Sequence, residues 1–496
     1  MLLALGALTV AVVATPVIFL LAELAAEPDA ALAALRRPRT LRLAGSTIGL
    51  VAAVVAGTLA LGVPTAFLLA RTRLPALRWW QVAAALPLAI PSYVAGFAWV
   101  SLTLLRGFWG SLVVLVLVST PYVTLPVAAA LARADLVPEM VARTLGAGPL
   151  RAFISATLPQ IAPAAAAGAL LAGLYTISDF GVVAIMRYPA FTWAIQTAFS
   201  DTFNRALAIA LSLLLVLIAV LIVLAERAFR RRVIAPQRVR YGTADRVRLG
   251  GPALLAACGG LGAVFAVGVG VPVATLAGRA LSSVAEREVE TARLLQTAGT
   301  TIALGLAGAA LATLLALPVA VLAARHRTRT VAALETGMYL GHGLPGIVAG
   351  LAMVYLALGV APAAYQTLPL LAVAYGVLFA PKAAGSARAA LGQVPTGLED
   401  AARTLGCSRW ETWTSVTARL AWPGVLAGAL LVALTVMKEL PATLMLRPTG
   451  VDTLATRLWQ LTDIAAYGAA APYGVALIGV AAVPALLLAY RPERTP

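Results

Sequence analysis

The chain has 496 residues, 61% of them hydrophobic and only 11% charged, with a mean hydropathy of +0.93. A composition this apolar excludes soluble enzymes, secreted disulfide scaffolds and disordered chains. The net charge of +17 would raise nucleic-acid binding in a soluble protein, but here membrane topology accounts for it, and no nucleic-acid partner is expected.

Apolar runs long enough, at ~1.5 Å of rise per residue, to cross a hydrocarbon core of ~30 Å recur throughout. In chain order they predict spans at 3–25, 43–70, 82–105, 109–132, 161–186 and 204–225, and then at 251–277, 299–324, 339–358, 368–391, 422–445 and 469–490. The expected fold class is therefore all-α, a polytopic membrane protein of about 12 transmembrane helices. The first run has no basic residue ahead of it and continues to a full membrane width, so it reads as a retained span and not as a cleaved signal peptide.

Placing the N-terminus in the cytoplasm puts roughly two-thirds of the 37 Lys and Arg on the cytoplasmic side, as the positive-inside rule requires. Both termini are then cytoplasmic. Arg36, Arg37, Arg39 and Arg42 fall on the opposite side and make the first span the least regular part of this topology. The Arg-rich stretch 227–250 reads as a solvated linker beside anionic membrane lipid. Cys258 and Cys407 have neither a plausible disulfide pairing nor metal-ligand spacing.

The two halves repeat one another. Ala142-Arg143-Thr144-Leu145-Gly146 recurs as Ala402-Arg403-Thr404-Leu405-Gly406, and at the same offset Pro163 meets Pro423. Upstream, Thr47, Pro64, Arg71, Pro91 and Gly96 meet Thr301, Pro318, Arg325, Pro345 and Gly350. The expected domains are a first repeat at 1–226, the linker at 227–250 and a second repeat at 251–496. Six crossings return the chain to its starting side, so these two six-helix repeats are parallel, related by an axis along the membrane normal.

The repeated pentapeptide lies between the fourth and fifth predicted spans of each half, facing the cytoplasm. There the sequence predicts two short helices broken at Gly146 and Gly406, because glycine readily supplies the left-handed residue that ends a helix. An element written once per half on one side of the membrane suits the docking of two copies of a partner.

Two further pairs coincide within the spans and are candidates for a substrate path. Asp179 meets Glu439, acids in or near apolar segments, where they either line a path or cap the next segment. Pro91 meets Pro345, and each either opens a break beside a cavity or merely kinks a packed helix. His326 is expected at a cytoplasmic span end, and His342 inside a span as a packed or water-facing residue rather than a ligand.

A phosphate-binding loop needs Gly-Lys-Ser/Thr, and neither of the two lysines, Lys382 and Lys438, follows a glycine. No catalytic cluster or metal site is legible. The rival classes are a secondary transporter, which would not need the duplicated cytoplasmic loop, and a membrane enzyme.

The loops resemble the permease signature of bacterial binding-protein-dependent ABC importers, which reads E-A-A, three residues, G, nine residues, then I-x-L-P. Asp400, Ala401, Ala402 and Gly406 occupy the first four places in the second half, with Val416 at the I position and Ala418 and Arg419 in place of the final Leu and Pro. In the first half Met140, Val141 and Ala142 stand at E-A-A with Glu139 one place early, while Gly146, Ala156, Leu158 and Pro159 take the later places. The stretches 176–199 and 437–459 look like those of fused two-domain permeases of ferric-iron importers, and fused thiamine permeases are similar.

This resemblance implies a transport subunit of the bacterial inner membrane working by alternating access. It implies two copies of an ABC ATPase subunit, which carry ATP and Mg on their own chains. It also implies a periplasmic or lipid-anchored substrate-binding protein, and ATPase-coupling loops formed by residues 142–146 and 400–406.

Overall fold

The computed structural model describes residues 2–26, 28–103, 105–233, 246–285, 290–340 and 344–489. The described residues are helical apart from turns, loops and an isolated bridge between Thr72 and Val247. Ten of these helices are long and apolar enough to cross a membrane, or up to eleven spans if the bent pair Leu77–Ala89 and Ser92–Leu102 is counted as one. The all-α polytopic fold is thus as expected.

The third and ninth expected spans take another form. The third, 82–105, is broken at Pro91 and its two pieces meet at 90°. Proline has no N–H to continue the helix ladder and disfavours helical geometry in the residue before it; Ile90 is accordingly extended at ψ 119°. The ninth, 339–358, is represented by Arg329–Leu340 and by Gly346–Val360, only 15 residues long. Pro345 precedes the second piece with φ −58° and ψ 140°, and Pro91 has φ −58° and ψ 141°. His342 lies outside the described residues.

The expected spans 161–186 and 422–445 also stop early. Their helices end at Ser178 and Met437, and short helices Gly181–Ile185 and Pro441–Leu446 follow the acids. Hydropathy alone does not register such breaks, because the residues on both sides remain apolar.

The described helices cluster into two compact units that partition the chain differently from the halves 1–226 and 251–496. One unit comprises Met1–Ala34, Ile195–Leu213 and Arg279–Pro496; the other comprises Leu35–Ala194 and Leu214–Gly278. In the first unit, Leu2–Ala26 packs on helices of the second half of the chain: a Cβ added at Gly6 would meet Leu322 at 3.0 Å, and one at Gly337 would meet Val10 at 2.6 Å. In the second unit, Gly251–Phe265 packs on the first half, where Leu261 joins Leu69, Leu74 and Ala84 and the rings of Trp80 and Phe265 lie 6.0 Å apart. Each half of the chain therefore contributes its first helix to the unit built on the other half.

Within each unit, small residues let helices meet closely. Gly168 leaves no room for a side chain against the backbone of Tyr122, and its counterpart Gly428 leaves none against Ser386. Such contacts substitute for the hydrophobic drive that is lost when the surroundings are as apolar as the helices.

Candidate functional site

The repeated pentapeptides close the short helices Val137–Thr144 and Thr396–Thr404. Glu139 and Glu399 occupy the first turns and Arg143 and Arg403 the last, the distribution that complements a helix dipole. Leu145, Gly146 and Ala147 donate their N–H groups to the carbonyls of Val141, Arg143 and Ala142, each at 3.0 Å. Leu405, Gly406 and Cys407 do the same to Ala401, Arg403 and Ala402 at 3.1, 3.0 and 3.1 Å.

Gly146 and Gly406 adopt φ of +85° and +92°, the left-handed conformation expected of both. The turn presents Leu145 at 82% exposure and Leu405 at 85%. Arg143, Thr144, Asp400, Ala401, Arg403 and Thr404 are exposed around them, and Ala142 and Ala402 are partly buried beneath. Each turn thus holds one leucine out from the helix that it closes.

The underside of each loop is polar. Glu399, only 8% exposed, pairs with Arg325 at 2.5 Å, accepts the Thr417 hydroxyl at 2.7 Å and lies 3.5 Å from Arg403. In the other half Glu139 accepts the Thr157 hydroxyl at 2.6 Å, while Nε and Nη2 of the buried Arg71 have no hydrogen-bond partner among the described residues. Asp400, at the motif's acid position, is exposed, and its carboxylate lies 3.1 Å from Arg403.

The inward anchors are therefore Glu139 and Glu399, one place before the motif acid. Sequence reasoning set Glu139 aside and passed over Glu399. The signal was present: Glu139 with Glu399, Thr157 with Thr417 and Arg71 with Arg325 all coincide at the repeat offsets.

At the far end of the helices that follow the loops, the structure gathers all four path candidates into two breaks. Asp179 is 8% exposed, and its Oδ1 accepts the N–H of Val182 at 2.8 Å, capping Gly181–Ile185. Oδ2 accepts the hydroxyl of Ser92, the first helical residue after Pro91, and the Asp179 carbonyl accepts Thr192 Oγ1 at 2.7 Å.

Glu439, 9% exposed, accepts the N–H groups of Ala442 and Thr443, both at 3.0 Å, and the Thr443 hydroxyl at 2.7 Å. Tyr375 closes this network through its hydroxyl, 2.6 Å from Thr443 Oγ1. Pro91 thus lies beside Asp179 through Ser92, and Pro345 beside Glu439 through Gly346. The loops are not brought to the breaks: Leu158–Ser178, a 21-residue helix, separates them by ~30 Å in the first half.

The family described as binding-protein-dependent transport system inner membrane component matches residues 38–235 and again residues 316–491. The chain belongs to this family. The permease is 33% identical over 467 residues to the Fe(3+)-transport system permease protein FbpB 2 of Haemophilus influenzae, covering 91% of this chain and 90% of that one. Over 204 residues it is 28% identical to the molybdate/tungstate transport system permease protein WtpB of Thermococcus kodakarensis, covering 40% of this chain and 82% of that protein. The sulfate transport system permease protein CysT of Salmonella typhimurium is 31% identical over 138 residues, 25% of this chain and 50% of its own length. Each of the two family matches contains one loop and one of the two breaks.

Proposed function

We propose that this chain imports ferric iron across the bacterial inner membrane, receiving it from a periplasmic or lipid-anchored binding protein and using the ATPase activity of two separate ABC subunits. The observation that carries this reading is the duplicated loop: two matched turns, each exposing a leucine by more than four-fifths, within one fused chain. The iron assignment draws its support from the FbpB 2 similarity, which extends nearly end to end, whereas the oxyanion permeases match less than half of the chain.

In this reading Leu145 and Leu405 insert into grooves on the two ATPases, with Arg143 and Arg403 at the rim. ATP and Mg bind on those partners, whose approach draws the loops together. Glu399 and Glu139 transmit the movement into the helices behind the loops, because their carboxylates tie the first turn to Thr417 and Thr157 at the start of those helices. A conformational change follows only to the extent that the loaded ATPases bind one state of the permease better than the other. Asp179, Glu439, Pro91 and Pro345 shape the path by holding its walls open at the breaks. Both termini and the 227–250 linker are cytoplasmic.

The test is reconstitution in proteoliposomes with the cognate binding protein and ATPase. Ferric uptake dependent on ATP is expected, together with loss of ATPase co-purification in Leu145→Ser/Leu405→Ser. Uptake of molybdate or sulfate with no ferric uptake would replace the cargo. Undiminished ATPase association in the double variant would remove the coupling assignment.

A further inference from the structure

The two loops are fastened differently. In the second half the guanidinium of Arg325, the last residue of Thr291–Arg325, donates through Nη2 to Glu399 at 2.5 Å and through Nη1 to the Val394 carbonyl at 3.2 Å. Glu399 also accepts the Thr417 hydroxyl. The second loop is thereby tied both to Thr291–Arg325 and to the start of the helix that follows it.

Arg71 occupies the corresponding place at the end of Pro38–Arg71 and is only 6% exposed, yet its Nε and Nη2 have no hydrogen-bond partner among the described residues. The side-chain ties of the first loop run to the helix after it. Thr157 donates to Glu139 at 2.6 Å, and the Gln160 amide exchanges two hydrogen bonds with the Asp135 backbone, at 2.8 and 2.9 Å. The repeat counterparts of Asp135 and Gln160 are Pro395 and Leu420, a residue without an N–H and a residue without a polar side chain, so this clasp belongs to the first half.

The seat for an Arg71–Glu139 contact is nevertheless built. Phe67 and Phe153, one turn before Arg71 and Thr157, meet edge to face at 5.4 Å, and their counterparts Val321 and Trp413 border one core cluster in the other half. Thr157 holds the Glu139 carboxylate as Thr417 holds that of Glu399. A buried guanidinium with unanswered donors is costly, and such a group calls for an arrangement that answers them.

We propose that Arg71 and Glu139 form a latch, open in this structure, that closes when the ATPases bind ATP and ties the first loop to Pro38–Arg71 as Arg325 ties the second loop to Thr291–Arg325. The proposal rests on the coupling role of the loops. The backbone at Arg71 is already fixed, since its carbonyl accepts the Val247 N–H at 2.8 Å and the Val247 carbonyl accepts the Arg73 N–H at 3.0 Å. Closure therefore needs only a rotation of the Arg71 side chain. It breaks no hydrogen bond that Nε or Nη2 now makes, and it adds a charge-assisted one. With the latch open, the first loop moves the helix behind it; with the latch closed, it moves Pro38–Arg71 as well.

The latch is tested on the full permease–ATPase complex in nanodiscs by hydrogen exchange with and without ATP, using an ATPase variant that binds ATP without hydrolysing it. In the wild type ATP should slow exchange over 137–146 by about tenfold, the effect of one added charge-assisted hydrogen bond. Arg71→Met and Glu139→Gln should each abolish most of that slowing while leaving the ATP-free rate close to that of the wild type. The glutamine keeps an oxygen for Thr157 and loses only the charge. Arg71→Lys, which keeps a cation, should retain part of the slowing, and Arg71→Met/Glu139→Gln should be no worse than either variant alone.

A purely structural Arg71 would alter exchange equally with and without ATP, and that result overturns the latch. Slowing that survives in both single variants, or losses that add in the double variant, overturns it too. A wild-type response to ATP over 396–406 with none over 137–146 would overturn the latch and leave the coupling assignment standing. No response in either loop would count against the coupling assignment and remove the latch with it.

Discussion

Gly346 lies directly against the carboxylate of Glu439: a Cβ added to the glycine would meet Oε1 at 2.7 Å. At the corresponding positions of the first half are Ser92 and Asp179, with the serine hydroxyl donating to the carboxylate. The longer acid faces the missing side chain and the shorter acid faces the hydroxymethyl, so each break is filled by a different division of nearly the same atoms.

Exchanging one partner alone should therefore be costly and exchanging both should not. Gly346→Ser overpacks its break and Glu439→Asp leaves the caps of Pro441–Leu446 short, each at about 1–3 kcal/mol. The double variant recreates the first-half pair and should recover about 0.5–3 kcal/mol of coupling. Thermal unfolding of the detergent-solubilised permease measures the cycle, and strictly additive losses would show that the two positions do not compensate.

The second loop is anchored more firmly than the first. Removing one partner of a buried pair costs about 3–5 kcal/mol; Arg325 and Glu399 keep 15% and 10% side-chain exposure, so Arg325→Met is expected toward or below the lower end of that range. Hydrogen exchange over 396–406 should accelerate. Arg71→Met should change exchange over 137–146 less, since the Thr157 hydroxyl still holds Glu139 and no hydrogen bond from Arg71 Nε or Nη2 is lost. Equal acceleration in both loops would contradict this asymmetry.

The loop turns should tolerate asparagine better than valine. At φ of +85° and +92° a side chain meets no neighbour within 4 Å, so the cost is backbone strain of about 1–2 kcal/mol, greatest for a β-branched residue. Gly146→Val and Gly406→Val should each weaken co-purification of the ATPase, while the Asn variants retain most of it. Wild-type association in the double valine variant would mean that the turns do not present the docking surface.

Orientation can be read with a thiol. Val247, near the end of the 227–250 connection, is exposed and paired through its backbone with Arg71 and Arg73. In a Cys258→Ala/Cys407→Ala background, Val247→Cys and Leu145→Cys should both resist an impermeant maleimide in intact spheroplasts and react after lysis. Labelling of one but not the other before lysis would place the linker and the first loop on opposite sides.

Local chemistry made much of this permease legible in its sequence. An apolar run declares a membrane helix because length and hydropathy are properties of the run itself. The loop turns were equally readable, since a helix ending in Leu-Gly closes through hydrogen bonds within six residues, and the duplication showed which such turn mattered.

The tertiary structure decided what depends on residues far apart in the chain. It turned the third span by 90° at Pro91, assigned Glu399 to Arg325 rather than to the surface, set Ser92 against Asp179, and placed Leu2–Ala26 on the helices of the second half. In an apolar chain nearly every helix face is equally greasy, so hydropathy cannot say which faces meet. That choice falls to close approach at small residues and to a few buried polar groups, whose partners lie dozens or hundreds of residues away.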